Sequence, residues 1–207
     1  VVEGSSDRPD DLPGKVVAAL DRLARGQRSR RQVVAATYGI TPLQADLLVT
    51  LSAGEPPAPV VGLLARELGV SQPTVTDSLR TLERKQLITR HRHTADARRV
   101  SAVLTPSGRR LVTKLAVGDQ ELIDAVAALD RSGQEALLGN ALALIAGLVD
   151  SGFISVARTC LTCRFRERDG AGHRCALLDM ALGPADLRVN CPEHRLVSTA
   201  GRSGAGH

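Results

Sequence analysis

Leu68-Gly69-Val70-Ser71-Gln72-Pro73-Thr74-Val75-Thr76-Asp77-Ser78-Leu79-Arg80-Thr81-Leu82-Glu83-Arg84 is the stretch on which the reading of this chain turns. Gly69-Val70 punctuates two helical segments, the first running from about Val60 to Leu68. Ser71 can cap the second, which runs to about Lys85. Within it Val75, Leu79 and Leu82 follow i, i+4, i+7 spacing and share one buried face. Thr74, Asp77, Ser78 and Thr81 are left facing outward, with Arg80 and Arg84 available for phosphates.

Downstream, Leu87-Ile88-Thr89-Arg90 and Val100-Ser101-Ala102-Val103-Leu104 are short β-prone runs. The segment between them, His91 to Arg99, is polar and basic. Helix, turn, helix, hairpin is the order of a winged helix-turn-helix, a mainly α fold with a small β-hairpin wing. A helix of this kind fits the DNA major groove, where base edges present a distinguishable donor and acceptor pattern. It needs short polar residues toward the bases and basic residues toward the phosphates. The outward face from Ser71 to Arg84 supplies both, with Arg80 and Arg84 among its basic residues. A wing needs positive charge at its tip, and Arg90, Arg92, Arg98 and Arg99 cluster there.

Working outward, a helical pattern runs from about Leu12 to Ala36 with Val16, Val17, Leu20 and Leu23 as its apolar stripe. Thr41-Pro42 and Thr105-Pro106 are each an N-cap followed by an N1 proline. The first opens a short helix through Leu51, before Gly54-Glu55-Pro56-Pro57 breaks the chain. The second starts a long helix carrying Leu111, Leu115, Leu122, Ile123 and Val126. A further helix covers about Gln134 to Val149 and ends at Gly152. The first ten or so residues, and Ser198 to His207, read as disordered.

The 207 residues are 43% hydrophobic, yet Tyr38, Phe153 and Phe165 are the only aromatics. The core is therefore expected to be aliphatic. A net charge of +5 makes a polyanion a natural partner. No apolar run is read as long enough to cross a bilayer, and the N-terminus lacks a signal-peptide pattern. The expected location is cytoplasmic, with no membrane partner. In that compartment four cysteines point to metal ligands or redox thiols rather than disulfides.

Leu68 to Thr76, Leu82-Glu83-Arg84-Lys85, Asp96-Ala97-Arg98-Arg99 and Leu104-Thr105-Pro106-Ser107-Gly108 together resemble the MarR family of bacterial regulators. The resemblance spans about Leu12 to Val149. It implies a homodimer whose N- and C-terminal helices form the interface. It also implies a recognition helix in the major groove, a wing arginine in the minor groove, and a palindromic operator of double-stranded DNA. By position, Ser71, Gln72, Pro73, Thr74 and Thr76 would approach bases, and Arg98 would be the wing arginine with Asp96 bracing it. Asp77 and Gln86 depart from the family's habit. Asp77 could accept from cytosine N4, pair with Arg80 or weaken phosphate contact, and Gln86 stands where glycine is often found.

All four cysteines lie between Cys160 and Cys191: Cys160-Leu-Thr-Cys163, then Cys175, then Cys191-Pro-Glu-His194. Residues 1–156 are read as the winged-helix DNA-binding and dimerisation domain. Residues 157–207 are read as a Cys-rich metal-binding module with a disordered tail. Thiolates gathered from so short a segment can close around a metal, with Arg164, Arg166 and Arg168 nearby favouring the charged forms. Structural zinc is one reading, with His173 or His194 able to replace a cysteine. An iron–sulfur cluster, 2Fe–2S or 4Fe–4S, on Cys160, Cys163, Cys175 and Cys191 is the reading preferred here. The spacing lacks the second CxxC of a zinc ribbon, and a Cys-Pro closes the set.

An enzyme is not expected, since no cofactor-binding glycine motif and no nucleophile, base and orienting acid occur together. The functional expectation is a dimeric, sequence-specific DNA-binding transcriptional regulator responding to redox or iron state. The alternative is a small-ligand-responsive repressor with a structural zinc site.

Overall fold

The computed structural model describes residues 11–53, 59–93, 96–116, 119–170 and 172–197, and the side chains of residues 92–99 lie outside the description. Both segments expected to be disordered, at the N-terminus and from Ser198 onward, also fall outside it. The order is α1 (Leu12–Thr37), α2 (Pro42–Ala53), α3 (Val61–Leu68), α4 (Gln72–Arg84), β1 (Ile88–His93), β2 (Asp96–Leu104), α5 (Pro106–Ala116), α6 (Gln120–Ala127) and α7 (Arg131–Asp150). A 3-10 turn (Cys160–Thr162), β3 (Arg166–Asp169), β4 (Gly172–Cys175), β5 (Met180–Leu182) and a second 3-10 turn (Pro184–Asp186) follow.

The caps read from the sequence form as hydrogen bonds. The Thr74 N–H donates to Ser71 Oγ at 3.3 Å, starting α4. Thr41 and Gln44 exchange bonds, each backbone N–H donating to the other's side-chain oxygen at 3.2 Å. This reciprocal pairing satisfies two donors that would otherwise be orphaned at the start of α2. A cap the sequence reading did not name starts α7 at Arg131: Asp130 receives the Gly133 N–H at 2.7 Å.

The core is aliphatic, as composition required. Leu47, Leu48, Leu64, Val75, Leu79 and Leu82 are fully buried, with Ile88, Ala102 and Leu104 of the wing and Leu111 and Leu115 of α5 packed into the same cluster. The wing pairs antiparallel from Ile88 against Leu104 to Arg92 against Val100, and Val60 bridges to Ser101. Burial of both wing strands against α2 and α4 fixes the wing's direction relative to the recognition helix.

Three features differ from the sequence reading. The long helix expected after Pro106 is two helices, α5 and α6, with Val117-Gly118 between them outside the described residues. The wing strands reach further toward the tip than their β-prone cores, because pairing once begun extends into polar residues that have no competing helical face. By length and composition α7 is apolar enough to cross a bilayer. An unbroken apolar run is absent because Gly139-Asn140 interrupts it, but the leucines, alanines and Ile145 outweigh the polar residues across the helix.

Long helices with little core contact stand out. Ala35 is the only buried residue of α1, and Leu142 the only one of α7. Leu12, Val16, Val17, Leu20 and Leu23 on α1, and Leu137, Leu144 and Leu148 on α7, are exposed. Helix α7 packs instead against the two 3-10 turns of the cysteine segment.

Candidate nucleic-acid interface and candidate metal centre

Helix α4 buries Val75, Leu79 and Leu82 and turns Ser71, Gln72, Pro73, Thr74, Arg80 and Arg84 outward. Thr76 is half-buried, its hydroxyl donating to the Gln72 carbonyl at 2.9 Å. Arg80 pairs with Asp77 at 2.9 Å, as the i, i+3 spacing allowed. Gln86 adopts φ 58°, the left-handed conformation that explains the glycine habit at this turn. A cleft of about 410 Å³ separates α4 from the wing, lined by Gln72, Thr76, Arg90 and Val100 among others.

Arg90 is placed differently from the other candidate phosphate ligands. Its Nε–H donates to Glu83 Oε2 at 2.7 Å, and its backbone N–H donates to Glu83 Oε1 at 3.3 Å. The pair bolts β1 to the end of α4. Arg92, Asp96, Arg98 and Arg99 lie on β1 and β2, but their side chains are outside the described residues.

The hydrogen bond from the Arg90 guanidinium, more than any other influence, holds the Glu83 carboxyl below its usual range. A carboxylate with a depressed folded-state pKa stabilises above its unfolded pKa, and that contribution is lost as pH falls through the folded value. Acidification below about pH 4.5, the ordinary value, should therefore loosen the wing. The side chains are 27% and 37% exposed, so the effect is about 1 kcal/mol or less. Hydrogen exchange of the wing amides at pH 7 and pH 3.5 would measure it. Glu83→Gln should abolish the acid-dependent part, and an equal acid response in the variant would count against this pair.

The cysteine segment folds as a three-stranded antiparallel sheet in the order β3-β4-β5, a feature the sequence reading did not anticipate. Arg166 pairs with Cys175 and Cys175 with Met180. Cys160, Cys163, Cys175 and Cys191 all line one small cavity, with Arg166, Arg188, Leu178, Met180 and Leu182 completing its wall. Cys160 and Cys191 are buried. The Arg188 backbone N–H donates to Cys160 Sγ at 3.2 Å, and its carbonyl accepts from the Cys160 N–H at 3.0 Å. The Arg188 guanidinium reaches Glu193 at 3.4 Å and Cys191 Sγ at 4.0 Å. Burial, first, pushes the Cys191 thiol up.

Neither histidine suggested as a substitute ligand lines the cavity. His173 lies against Arg166 Nη1 at 3.2 Å, and His194 meets Thr162 Oγ1 at 3.0 Å. Desolvation holds the His194 imidazole low, which favours its neutral form. Of the arginines singled out from the sequence, Arg166 reaches the cavity, while Arg164 stacks over Phe165 at 4.9 Å. Arg188 was missed; its position three residues before Cys191 is the only signal that could have marked it.

The donor set can be compared with what each metal group needs. Zinc held by thiolates requires four sulfurs at about 2.3 Å from one centre. Among the described residues, no three histidine, cysteine, aspartate or glutamate side chains converge closely enough to hold a single ion. The four thiols instead ring a cavity of about 20 Å³. A cluster needs that ring wider still. An all-cysteine set, amide donation to sulfur, two arginines against thiolate charge and an apolar wall are what an iron–sulfur group requires. The donor types suit such a group, and the cavity as it stands is too small to hold one.

A second, larger cavity of about 530 Å³ lies between α1, α2 and α5, lined by Arg31, Val34, Asp46, Val49, Glu67, Val112, Leu115 and Asp119 among others. Arg31 and Asp46 pair across it at 3.3 Å. Burial raises the Asp46 carboxyl, against the lowering pull of Arg31.

The cysteine segment also touches the helix-turn-helix. Arg158 pairs with Glu67 of α3 at 2.9 Å, and Ser155 Oγ donates to the Arg66 carbonyl at 3.2 Å.

Residues 38–99 match the model of the MarR family. Among solved structures, the chain is similar to S. aureus MepR in complex with DNA, at 26% identity over 64% of this chain and 97% of that one, with a TM-score of 0.56. It is similar to S. aureus MepR in its DNA-binding conformation at 26% identity over 64% and 98%, TM-score 0.58. A MarR family transcription regulator shares the fold at 22% identity over 69% and 94%, TM-score 0.59. A comparison with curated protein sequences finds no match. The first two are structures of a DNA-binding protein and the third is a transcription regulator. Residues 38–99, which carry the winged helix-turn-helix, are thus similar to the MarR family in both sequence and fold.

Proposed function

We propose that the chain is a cytoplasmic, dimeric transcriptional regulator that binds palindromic double-stranded DNA and senses redox or iron state through an iron–sulfur cluster. Ser71, Gln72, Pro73, Thr74 and Thr76 face base edges from α4, while Arg80, Arg84 and the wing's Arg92, Arg98 and Arg99 meet phosphates and the minor groove, Asp96 bracing Arg98. Arg90 serves the interface mainly by fixing the wing through Glu83. The similarity to MepR in complex with DNA supports this half. The exposed apolar stripes of α1 and α7 supply the dimer surface.

The observation that carries the sensing half is the ring of Cys160, Cys163, Cys175 and Cys191 around one cavity. When bound, a cluster supplies a group that changes charge on oxidation or is lost to oxidant. The chain's own part is to hold four thiolates, to donate the Arg188 amide to Cys160, and to set two guanidinium groups against the negative charge. Dimer geometry fixes the spacing of the two recognition helices, and operator half-sites must match it.

Anaerobically purified protein and an operator selected from random duplexes test this reading. Visible absorption lost on oxidant, with about a tenfold change in operator affinity, is expected. Replacing Cys160 and Cys163 with serine should remove both. Colourless protein with stoichiometric zinc would overturn the cluster, and an affinity indifferent to oxidant would overturn the sensor. The second reading, a small-ligand-responsive repressor with structural zinc, draws on the cavity between α1, α2 and α5. Release from DNA by a small apolar acid, unchanged by the serine substitutions, would favour it.

A further inference from the structure

Arg158 stands two residues before Cys160, and its carbonyl accepts the Cys191 N–H at 2.8 Å. Its backbone is thus fixed by the two buried cysteines. Its side chain leaves the cysteine segment and pairs with Glu67, on the last turn of α3 before the Gly69 turn into α4. One residue earlier on the same turn, Arg66 receives the Ser155 hydroxyl. The end of α3 is therefore gripped at adjacent positions by the segment leading into the thiol ring.

The pair is half-buried, at 18% and 14% side-chain exposure, and incompletely bonded. Among the described residues, Arg158 Nε and Glu67 Oε2 are buried without a hydrogen-bond partner. The orphans are complementary, one a donor and one an acceptor. A guanidinium offers two parallel N–H groups in a fork that matches two carboxylate oxygens. A small shift of Arg158 along α3 would convert the single contact seen here into that fork and satisfy both atoms. Buried unsatisfied groups are costly, and a buried pair gains only when its geometry is good.

We propose that Glu67 and Arg158 are the coupling pair that transmits the state of the thiol ring to the recognition helix. This rests on the sensing role proposed above. A change in how Cys160 and Cys191 are held moves the Arg158 backbone, the pair switches between one contact and two, and the end of α3 moves with Glu67. The short Gly69-Val70 turn passes that motion to Ser71 and α4. Glu67 and Arg158 are positioning residues: neither touches DNA, and neither is a metal ligand.

Operator affinity of metal-loaded and chelator-stripped protein, for wild type, E67Q, R158M and the double variant, tests this. Wild type should show a loaded-to-stripped ratio of about tenfold, and each single variant a ratio within about twofold of unity. The double variant should match the singles, because one contact can be removed only once. Visible absorption should be the same in E67Q as in wild type. A merely structural pair would lower both affinities and keep the ratio, and that result overturns the proposal, as does additive loss in the double variant. Failure of the cluster reading shows separately, as wild type without visible absorption. The ratio is then read with zinc-loaded protein, and a tenfold ratio that E67Q abolishes still supports the coupling. A wild-type ratio of unity overturns both.

Discussion

Gly108→Ala should destabilise the winged helix by about 3 kcal/mol or more, through overpacking against backbone. A Cβ at this position would lie 2.0 Å from the Leu87 carbonyl oxygen and 3.1 Å from its carbon, with Leu104 Cδ2 at 3.3 Å. Leu87 cannot withdraw, because its carbonyl accepts the Thr105 N–H at 3.0 Å. Thr105 is held in turn, its hydroxyl donating to the Gln86 carbonyl at 2.8 Å and accepting the Gly108 N–H at 3.1 Å. Relief would require the start of α5 to move off the wing, opening the contacts of Leu104 and Leu111 in the core. Thermal unfolding should shift down by roughly 6–12 °C. A shift under about 2 °C would show that the close approach of α5 to Leu87 is not fixed in solution.

Leu20→Asp combined with Leu23→Asp should convert a dimer to monomer while leaving the core intact. Both leucines are exposed on α1, a helix that buries only Ala35. Each apolar side chain covered at an interface contributes about 1.5–3 kcal/mol, and a carboxylate left there without a partner costs more. With each change present in both protomers, dimer affinity should weaken by roughly a thousandfold or more. Sedimentation equilibrium across a concentration series reads the change directly, and circular dichroism should show unaltered helix content. Dimerisation at wild-type strength would mean that this stripe is not the dimer surface.

The helix-turn-helix was legible because its signals are local and agree. Gly69, Ser71 and the Val75–Leu79–Leu82 spacing each name the same structure, and each forms as read. The wing was placed but read short, since pairing partners rather than propensity set the ends of β1 and β2. The four cysteines were legible as a set, and the cavity gathers all of them. Their sheet was not, because β3, β4 and β5 are three or four residues each, too short to show a period. The division of α5 from α6 was missed because a helical period continues across it from Leu111 to Val126. Arg158–Glu67 was out of reach: nothing in either residue's neighbourhood marks a half-buried ion pair between segments so far apart.

The tie between Ser155 and Arg66 spans 89 residues, and that of Arg158 to Glu67 is of the same reach. A chain made from its N-terminus folds its earlier segments first. Helix α3 and the recognition helix are thus complete before the residues that clamp them have been synthesised. Glu67 begins its life hydrated and loses its water only when Arg158 arrives. Closure of that contact can only follow the synthesis of Arg158, which makes it a late event in the chain's assembly.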